Sequence, residues 1–252
     1  PARILACLAL VRLRKVKKMY TIIITGATSG IGFAVCKTLA AGPFRVIGIG
    51  RTEQTARTAE KQLKQEFPLA HIHFLAADLM QQREVNRLGT ELSKLLESEA
   101  DSKLHALINN AGAVRSWYAT TEDGFEQQFA LNHLAGFLLT HHLFPYLRNS
   151  CGRIIMTSSD SHQGIKINWN DIMFQKGYNP LRVYQQSKLC NLLFAFALNA
   201  RYRSSGIRAY GIDPGLVRTD IGNKKTGRLV NFVWNLRKAR GVPAEVPAKT
   251  YA

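Results

Sequence analysis

Tyr184 and Lys188 stand four residues apart in Tyr184-Gln185-Gln186-Ser187-Lys188. On a helix, positions i and i+4 share one face, so this spacing brings an ammonium beside a phenol. A free phenol titrates near about 10, too high to trade protons readily at neutral pH, and a neighbouring cation favours the phenolate. A tenfold change in proton affinity takes about 1.4 kcal/mol of differential interaction, within reach of a partly desolvated charge. The pair is therefore a candidate proton donor with its tuning charge. A Tyr-x-x-x-Lys spacing also recurs by chance, so its meaning depends on its company.

The first companion is Thr25-Gly26-Ala27-Thr28-Ser29-Gly30-Ile31-Gly32, spaced Gly-x-x-x-Gly-x-Gly. It follows the β-branched run Tyr20-Thr21-Ile22-Ile23-Ile24 and opens a helical stretch over 33–41. Strand, glycine turn and helix form the context in which backbone N–H groups at a helix start hold a pyrophosphate. Gly26 and Gly30 would let the backbone turn and approach the ligand, and Gly32 would let helix and strand pack closely. A glycine-rich turn without a ligand is the plainer reading. The next strand ends Ile49-Gly50-Arg51 with no carboxylate to accept from a ribose 2′-hydroxyl. Arg51 offers instead a planar fork of donors suited to a 2′-phosphate, so NADP(H) is preferred and NAD(H) is the second choice.

Elements that would position these residues alternate along the chain. Buried strands are expected over 45–50, 71–77, 104–108, 153–157 and 207–212, with helices over 53–66, 81–97, 121–147 and 183–203. That alternation predicts an α/β fold, a Rossmann-type doubly wound parallel sheet with right-handed crossovers, in a single domain. At 252 residues and 46% apolar content the chain can bury one sizeable core. No repeat, low-complexity tract or linker interrupts it.

These motifs, with Asn109-Asn110-Ala111-Gly112, Asn132, Ser159 and Asp213-Pro214-Gly215, resemble the short-chain dehydrogenase/reductase superfamily from about Tyr20 onward. The 25-residue interval from Ser159 to Tyr184, and the Ser158-Ser159 pair before a His-bearing loop, resemble the retinol dehydrogenase and WW-domain oxidoreductase branch. The resemblance implies catalytic roles for Ser159, Tyr184, Lys188 and Asn132, with Asn132 holding a water between Lys188 and solvent. It further implies that Ser29, Ile31, Asp78, Asn110, Ala111, Gly112, Pro214, Gly215, Val217 and Thr219 join Gly26, Gly30, Gly32 and Arg51 around the cofactor. Asp78 would contact the adenine amino group, or more plainly cap the next helix. Val217 and Thr219 would bind the nicotinamide carboxamide, and Lys188 the ribose. Ser158 competes with Ser159, which is preferred on the interval. Without the resemblance, Asn132 is a buried hydrogen-bonding residue and the two Gly-containing segments are strand-ending turns.

The expected reaction interconverts a lipophilic alcohol and its aldehyde or ketone. Trp169, Met173, Phe174 and Tyr178, with the apolar segment 229–236, would wall the pocket; that segment could equally be core, a dimer face of a homo-oligomer or a membrane-surface contact. A nucleotide-sensing scaffold is the alternative, since fold does not fix function. Formal charge is +17, with six basic residues and no acid in 1–18, yet no recognised nucleic-acid module is present. The cysteines Cys7, Cys36, Cys151 and Cys190 are scattered without metal-ligand spacing, and His141-His142 lacks partners for a metal site. Inert thiols in a cytoplasmic compartment are expected, with membrane association as the second reading.

Both ends invite a reading. The chain starts at Pro1, and its run Ile4–Val11 is too short to span a bilayer and lacks a signal peptide's order. Residues 1–18 are read as sequence upstream of a true start at Met19, or as the tail of an anchor or an interfacial segment; 19–252 form the domain. The stretch 245–252 reads as an interrupted helix, and the resemblance implies a further strand beyond it, so the sheet is expected to lack its last edge strand.

Overall fold

The structure is a computed structural model describing residues 19–98, 102–217 and 241–252. Six strands form one parallel sheet in the order β3-β2-β1-β4-β5-β6: β1 Tyr20–Thr25, β2 Phe44–Gly50, β3 His71–Ala76, β4 Ala106–Asn109, β5 Arg153–Thr157 and β6 Arg208–Ile212. Each lies within two residues of its expected bounds. The order reverses direction between β1 and β4, which opens a crevice at their carboxyl ends.

Period-two alternation gives the inner strands β1, β2, β4 and β5 two buried faces, while the edge strands β3 and β6 each leave one face partly open. Ile23, Leu107, Ile154 and Met156 point to one core, filled by α3 (Gln82–Glu97), α4 (Ala135–Ser150) and α5 (Pro180–Tyr202). Ile22, Ile24, Ile108 and Ile155 point to the other, covered by α1 (Gly30–Ala40), α2 (Glu53–Glu66) and α6 (Glu245–Tyr251). Helix α3 buries Val85, Leu88, Leu92 and Leu96, one stripe at helical spacing, while its charged residues face water. Burying one such leucine contributes about 1.5–3 kcal/mol, so each face anchors its helices well.

The stretch 121–147 is not one helix. Thr121 and Gly124 form a turn, with Gly124 at φ +81°, and Thr120 bridges Glu126 in antiparallel fashion. Only from Gln127 does a short α turn begin, followed by a π turn over Ala130–Leu134 and then α4. Helix α5 starts at Pro180, three residues earlier than the apolar pattern suggests. Asn179 caps it, accepting from Leu181 N and Arg182 N, and Pro180 occupies the first turn where its missing N–H costs nothing.

His142 does not sit free on the surface. Its Nε2 meets Asn86 Oδ1 at 2.8 Å in the seam between α4 and α3, closed by Gly89. None of the described helices is long and apolar enough to cross a membrane. Residues 1–18, Thr219 and segment 229–236 lie outside the described residues.

Candidate active site

The glycine turn is built by contacts that demand glycine. Gly26 and Gly30 take φ of +65° and +55°. A β-carbon on Gly32 would fall 2.3 Å from Gly26 O and 2.7 Å from Asn110 Nδ2, so α1 approaches the turn more closely than any side chain permits. Asn110 secures the turn from the neighbouring strand. Its carboxamide donates to Thr25 O at 3.0 Å and Gly26 O at 3.4 Å, while Thr25 Oγ1 accepts from Asn110 N and Ala111 N. Ser29 caps α1 without a side-chain bond, and the first turn carries no acid.

Beside this turn lies a cleft of about 390 Å³. Of the residues expected at a cofactor, Gly26, Ser29, Gly30, Ile31, Arg51, Asp78, Asn110, Ala111 and Gly112 line it. Gly32 lies beneath, in the packing role expected of it. Asp78 is not a helix cap. Its Oδ1 accepts from Met80 N, whereas the N–H of Gln82 at the start of α3 is taken by Asp123. The sequence reading missed Thr28, Met80 and Arg115, which also line the cleft. Arg115 reaches Met80 Sδ at 3.7 Å and adds a second guanidinium to that of Arg51. Arg115 follows β4 in irregular backbone, where no periodic signal marks it.

The far end of the cleft meets the candidate chemistry. A β-carbon on Gly112 would stand 3.6 Å from Lys188 Nζ and 3.3 Å from Asn132 Oδ1. Tyr184 and Lys188 share the buried face of α5, and Nζ lies 5.4 Å from the Tyr184 ring centroid. Lys188 Nζ donates to Thr157 O at 3.0 Å, at the end of β5. Burial pulls the Lys188 ammonium down from 10.5 to about 8, and the charge of Asp213 partly opposes this.

The two serines divide their work. Ser158 is buried and commits its hydroxyl proton to Lys188 O at 2.9 Å. Ser159 caps the turn Asp160–His162, and its Oγ accepts from Ser161 N and Ser161 Oγ, which leaves its own proton to donate. His162 Nδ1 meets Ser159 O at 2.6 Å and donates to it.

Asn132 sits in the π turn, where the wider helical step releases a carbonyl from the ladder. Its carboxamide pairs with Ala113 N and Ala113 O at 2.8 and 3.0 Å and donates to Ser187 Oγ at 3.1 Å. That side chain ties the cleft loop to α5. The main-chain carbonyl of Asn132 accepts from Asn191 Nδ2, which also donates to Thr157 O. His133 Nδ1 completes this brace on Asn191 Oδ1 at 3.0 Å, and burial lowers the proton affinity of that imidazole.

After β6, Asp213 Oδ1 accepts from Gly215 N, and Gly215 takes φ +72°. Val217 bridges Val242. In the loop before α5, the aromatic and apolar residues are held as follows. Phe174 is buried at φ +50°, Met173 Sδ accepts from Glu126 N, and Tyr178 turns its hydroxyl to Glu126. Only Trp169 projects into solvent, 76% exposed. Met173 and Tyr178 are half-buried and tied to Glu126, so Trp169 offers the most exposed apolar surface of the four. Desolvation pushes the Glu126 carboxyl up, opposed by bonds from Gln128 N, Phe129 N and Tyr178.

The sequence matches the short chain dehydrogenase family over residues 20–228. Human retinol dehydrogenase 13 is 36% identical over 204 residues, covering 80% of this chain and 60% of that protein. Mouse retinol dehydrogenase 14 is 36% identical over 213 residues, covering 80% and 62%, and human polyprenol dehydrogenase 33% over 206 residues, covering 79% and 61%. The chain thus spans about three fifths of the length of these relatives. Two solved structures share the fold. A short-chain dehydrogenase from Sphingobium yanoikuyae in complex with NADPH superposes with a TM-score of 0.70 at 23% identity, covering 91% of this chain and 82% of that one. An alcohol dehydrogenase from Thermococcus sibiricus complexed with 5-hydroxy-NADP gives 0.71 at 18%, covering 93% and 89%. From the match along most of its length and the identity to these relatives, the chain belongs to the short-chain dehydrogenase family, on its retinol dehydrogenase-like branch.

Proposed function

We propose that this chain is an NADP(H)-dependent oxidoreductase that interconverts a lipophilic alcohol and its aldehyde or ketone. The observation carrying this reading is that a β-carbon on Gly112, which lines the cleft, would stand 3.6 Å from Lys188 Nζ, itself 5.4 Å from the Tyr184 ring centroid. That proximity supports reading the cofactor cleft and the proton donor as adjoining parts of one site. The cleft fits a phosphorylated dinucleotide by its chemistry. A helix start without acids opens beside it, and two guanidiniums outnumber the single carboxylate of Asp78 in its lining. Arg51 at the end of β2 favours the 2′-phosphate of NADP(H) over the bare ribose of NAD(H).

NADPH, when bound, supplies the hydride to the carbonyl carbon, and that chemistry is its own. The residues of the chain manage the charge that develops on oxygen. Ser159 donates its hydroxyl proton as a hydrogen bond to the carbonyl oxygen. Tyr184 transfers a proton to that oxygen as general acid, and Lys188 stabilises the phenolate left behind. Thr157 O and the Asn191 brace hold Lys188 in register, and Asn132 keeps the cleft loop against α5. Val217 and Thr219 are proposed to hold the nicotinamide carboxamide. Relatives named for retinol and polyprenol support a lipophilic substrate, and exposed Trp169 offers an apolar surface for it.

Incubating the protein with NADPH or NADH and a panel of lipophilic aldehydes and ketones, while following coenzyme absorbance, tests the reading. Carbonyl-dependent oxidation faster with NADPH supports it. Tight NADPH binding with no turnover across the panel would instead favour a nucleotide-sensing scaffold.

A further inference from the structure

The interval between Ser159 and Tyr184 is long and mostly irregular, yet it is held from below by three side chains that are wholly buried. Gln186, inside the Tyr184–Lys188 motif, is 0% exposed. Its Oε1 accepts from Asn168 N at 2.8 Å, and its Nε2 donates to Ile172 O at 2.9 Å. Both partners are main-chain groups, so the orientation of the amide is unambiguous. Glu126 and Gln128, also 0% exposed, take the other end of the loop. Tyr178 donates to Glu126 Oε1 at 3.1 Å and accepts from Gln128 Nε2 at 2.8 Å. Gln128 Nε2 also reaches Pro180 O at 3.3 Å.

Buried polar groups are costly unless partnered, and these three direct bonds to one loop from two different elements. An irregular stretch of this length inside a domain is ordinarily either functional or disordered. Here it is pinned, even to the point of holding Phe174 at φ +50°. The pinned stretch carries Trp169 directly after the Asn168 N–H that Gln186 grips. In sequence it is strung between the proposed carbonyl donor and the proposed proton donor.

We propose that Gln186 is a specificity-determining positioning residue: it latches the 160–179 loop to α5 and so presents Trp169 as a preformed wall for the apolar tail of the substrate. This rests on the reductase reading above. Because Gln186 lies on the helix that carries Tyr184 and Lys188, wall and proton donor move as one body. Tail recognition then needs no loop ordering on binding, a cost that a flexible loop would subtract from affinity.

The test compares wild type, Gln186→Leu and Tyr178→Phe, each saturated with NADPH. Tyr178→Phe loosens the second anchor by a single hydroxyl and keeps the fold should the leucine variant fail. Two quantities are read: hydrogen-exchange protection of main-chain amides 168–176, and kcat/KM for decanal relative to propanal. Gln186→Leu should lose protection at Asn168 N and lower the decanal-to-propanal ratio about tenfold through KM, the scale of one or two apolar contacts in a pocket. Propanal kcat and NADPH affinity should hold, and Tyr178→Phe should shift both readouts in the same direction by less. Unchanged protection would show that no latch exists. Lost protection with an unchanged ratio, or equal losses for both aldehydes, would show that the loop is not a substrate wall. Decanamide and propanamide resist hydride addition and give the same ratio as dissociation constants. The wall is therefore decided separately even where no aldehyde turns over, an outcome that would defeat the reductase reading alone.

Discussion

Replacing Lys188 by methionine should stabilise the fold while destroying its chemistry. Lys188 is 2% exposed and titrates at about 8 rather than 10.5, chiefly because burial disfavours its charge. At about 1.4 kcal/mol per tenfold change in proton affinity, keeping the ammonium in place near neutral pH costs about 3 kcal/mol. Methionine has nearly the same length and carries no charge. The change forfeits one hydrogen bond, worth about 1 kcal/mol, but Thr157 O keeps its bond from Asn191 Nδ2, so no carbonyl is orphaned. The net expectation is a gain of about 2 kcal/mol, or about 5 °C in Tm for a domain of this size. The pH dependence has a definite sign. Between pH 8 and 10.5 the unfolded lysine holds a proton that the folded one has released, so wild type gains stability across that window as pH rises. The advantage of Lys188→Met should therefore be full below pH 8 and shrink towards zero or below by pH 10.5. Paired thermal melts of the two proteins without coenzyme, at several pH values, measure the difference directly. A wild type as stable as the variant at pH 6.5 would refute the argument, because Thr157 O and Asp213 would then fully offset the burial of the charge.

Three other outcomes are expected. Gly32→Ala places a methyl 2.3 Å from Gly26 O, so overpacking of about 1–3 kcal/mol should lower Tm, and calorimetric titration should show NADPH affinity reduced with it. Arg51→Asp exchanges a 2′-phosphate donor for a 2′-hydroxyl acceptor. Charge-assisted bonds worth about 3 kcal/mol correspond to about a hundredfold fall in the NADPH-to-NADH ratio of kcat/KM, read from initial rates with both coenzymes. In a Cys7→Ser background, a chromogenic disulfide at pH 8 should titrate exposed Cys151 quickly. Cys36 and Cys190, pushed up to about 12 and about 11 by burial, should react only on unfolding.

The sheet was legible because its inner strands are short apolar runs buried on both faces, and the edge strand β3 still alternates apolar with polar residues. Helix α2 was legible to the residue, over Glu53–Glu66, because its apolar positions repeat cleanly after the Thr52 cap. The 121–147 region misled because apolar residues recur at helical spacing from Phe125 onward. What breaks it is the turn at Gly124 and the extra residue of the π turn, neither of which alters that spacing. Asn179-Pro180 was a local start signal for α5 that the apolar pattern overshadowed. At the site, Tyr184 and Lys188 could be paired from spacing alone, since a helix converts four residues into one face. Ser159 over Ser158 is an inference from interval, and the bond from Ser158 Oγ to Lys188 O is consistent with it. Arg115, Gln186 and Asn191 were not legible as site residues. Their partners lie on irregular backbone or on elements distant in sequence, as with Asn191 and Asn132 O, 59 positions apart.

The central claim is that Tyr184 hands a proton to a carbonyl oxygen beside bound NADPH. Single-turnover oxidation of NADPH with a long-chain aldehyde, compared between wild type and Tyr184→Phe, tests it most directly. The account predicts that the variant binds NADPH as tightly as wild type while its hydride-transfer step slows by about 10²–10⁴-fold, the usual contribution of a positioned acid. A phenylalanine variant that reduces the aldehyde at the wild-type rate would contradict it.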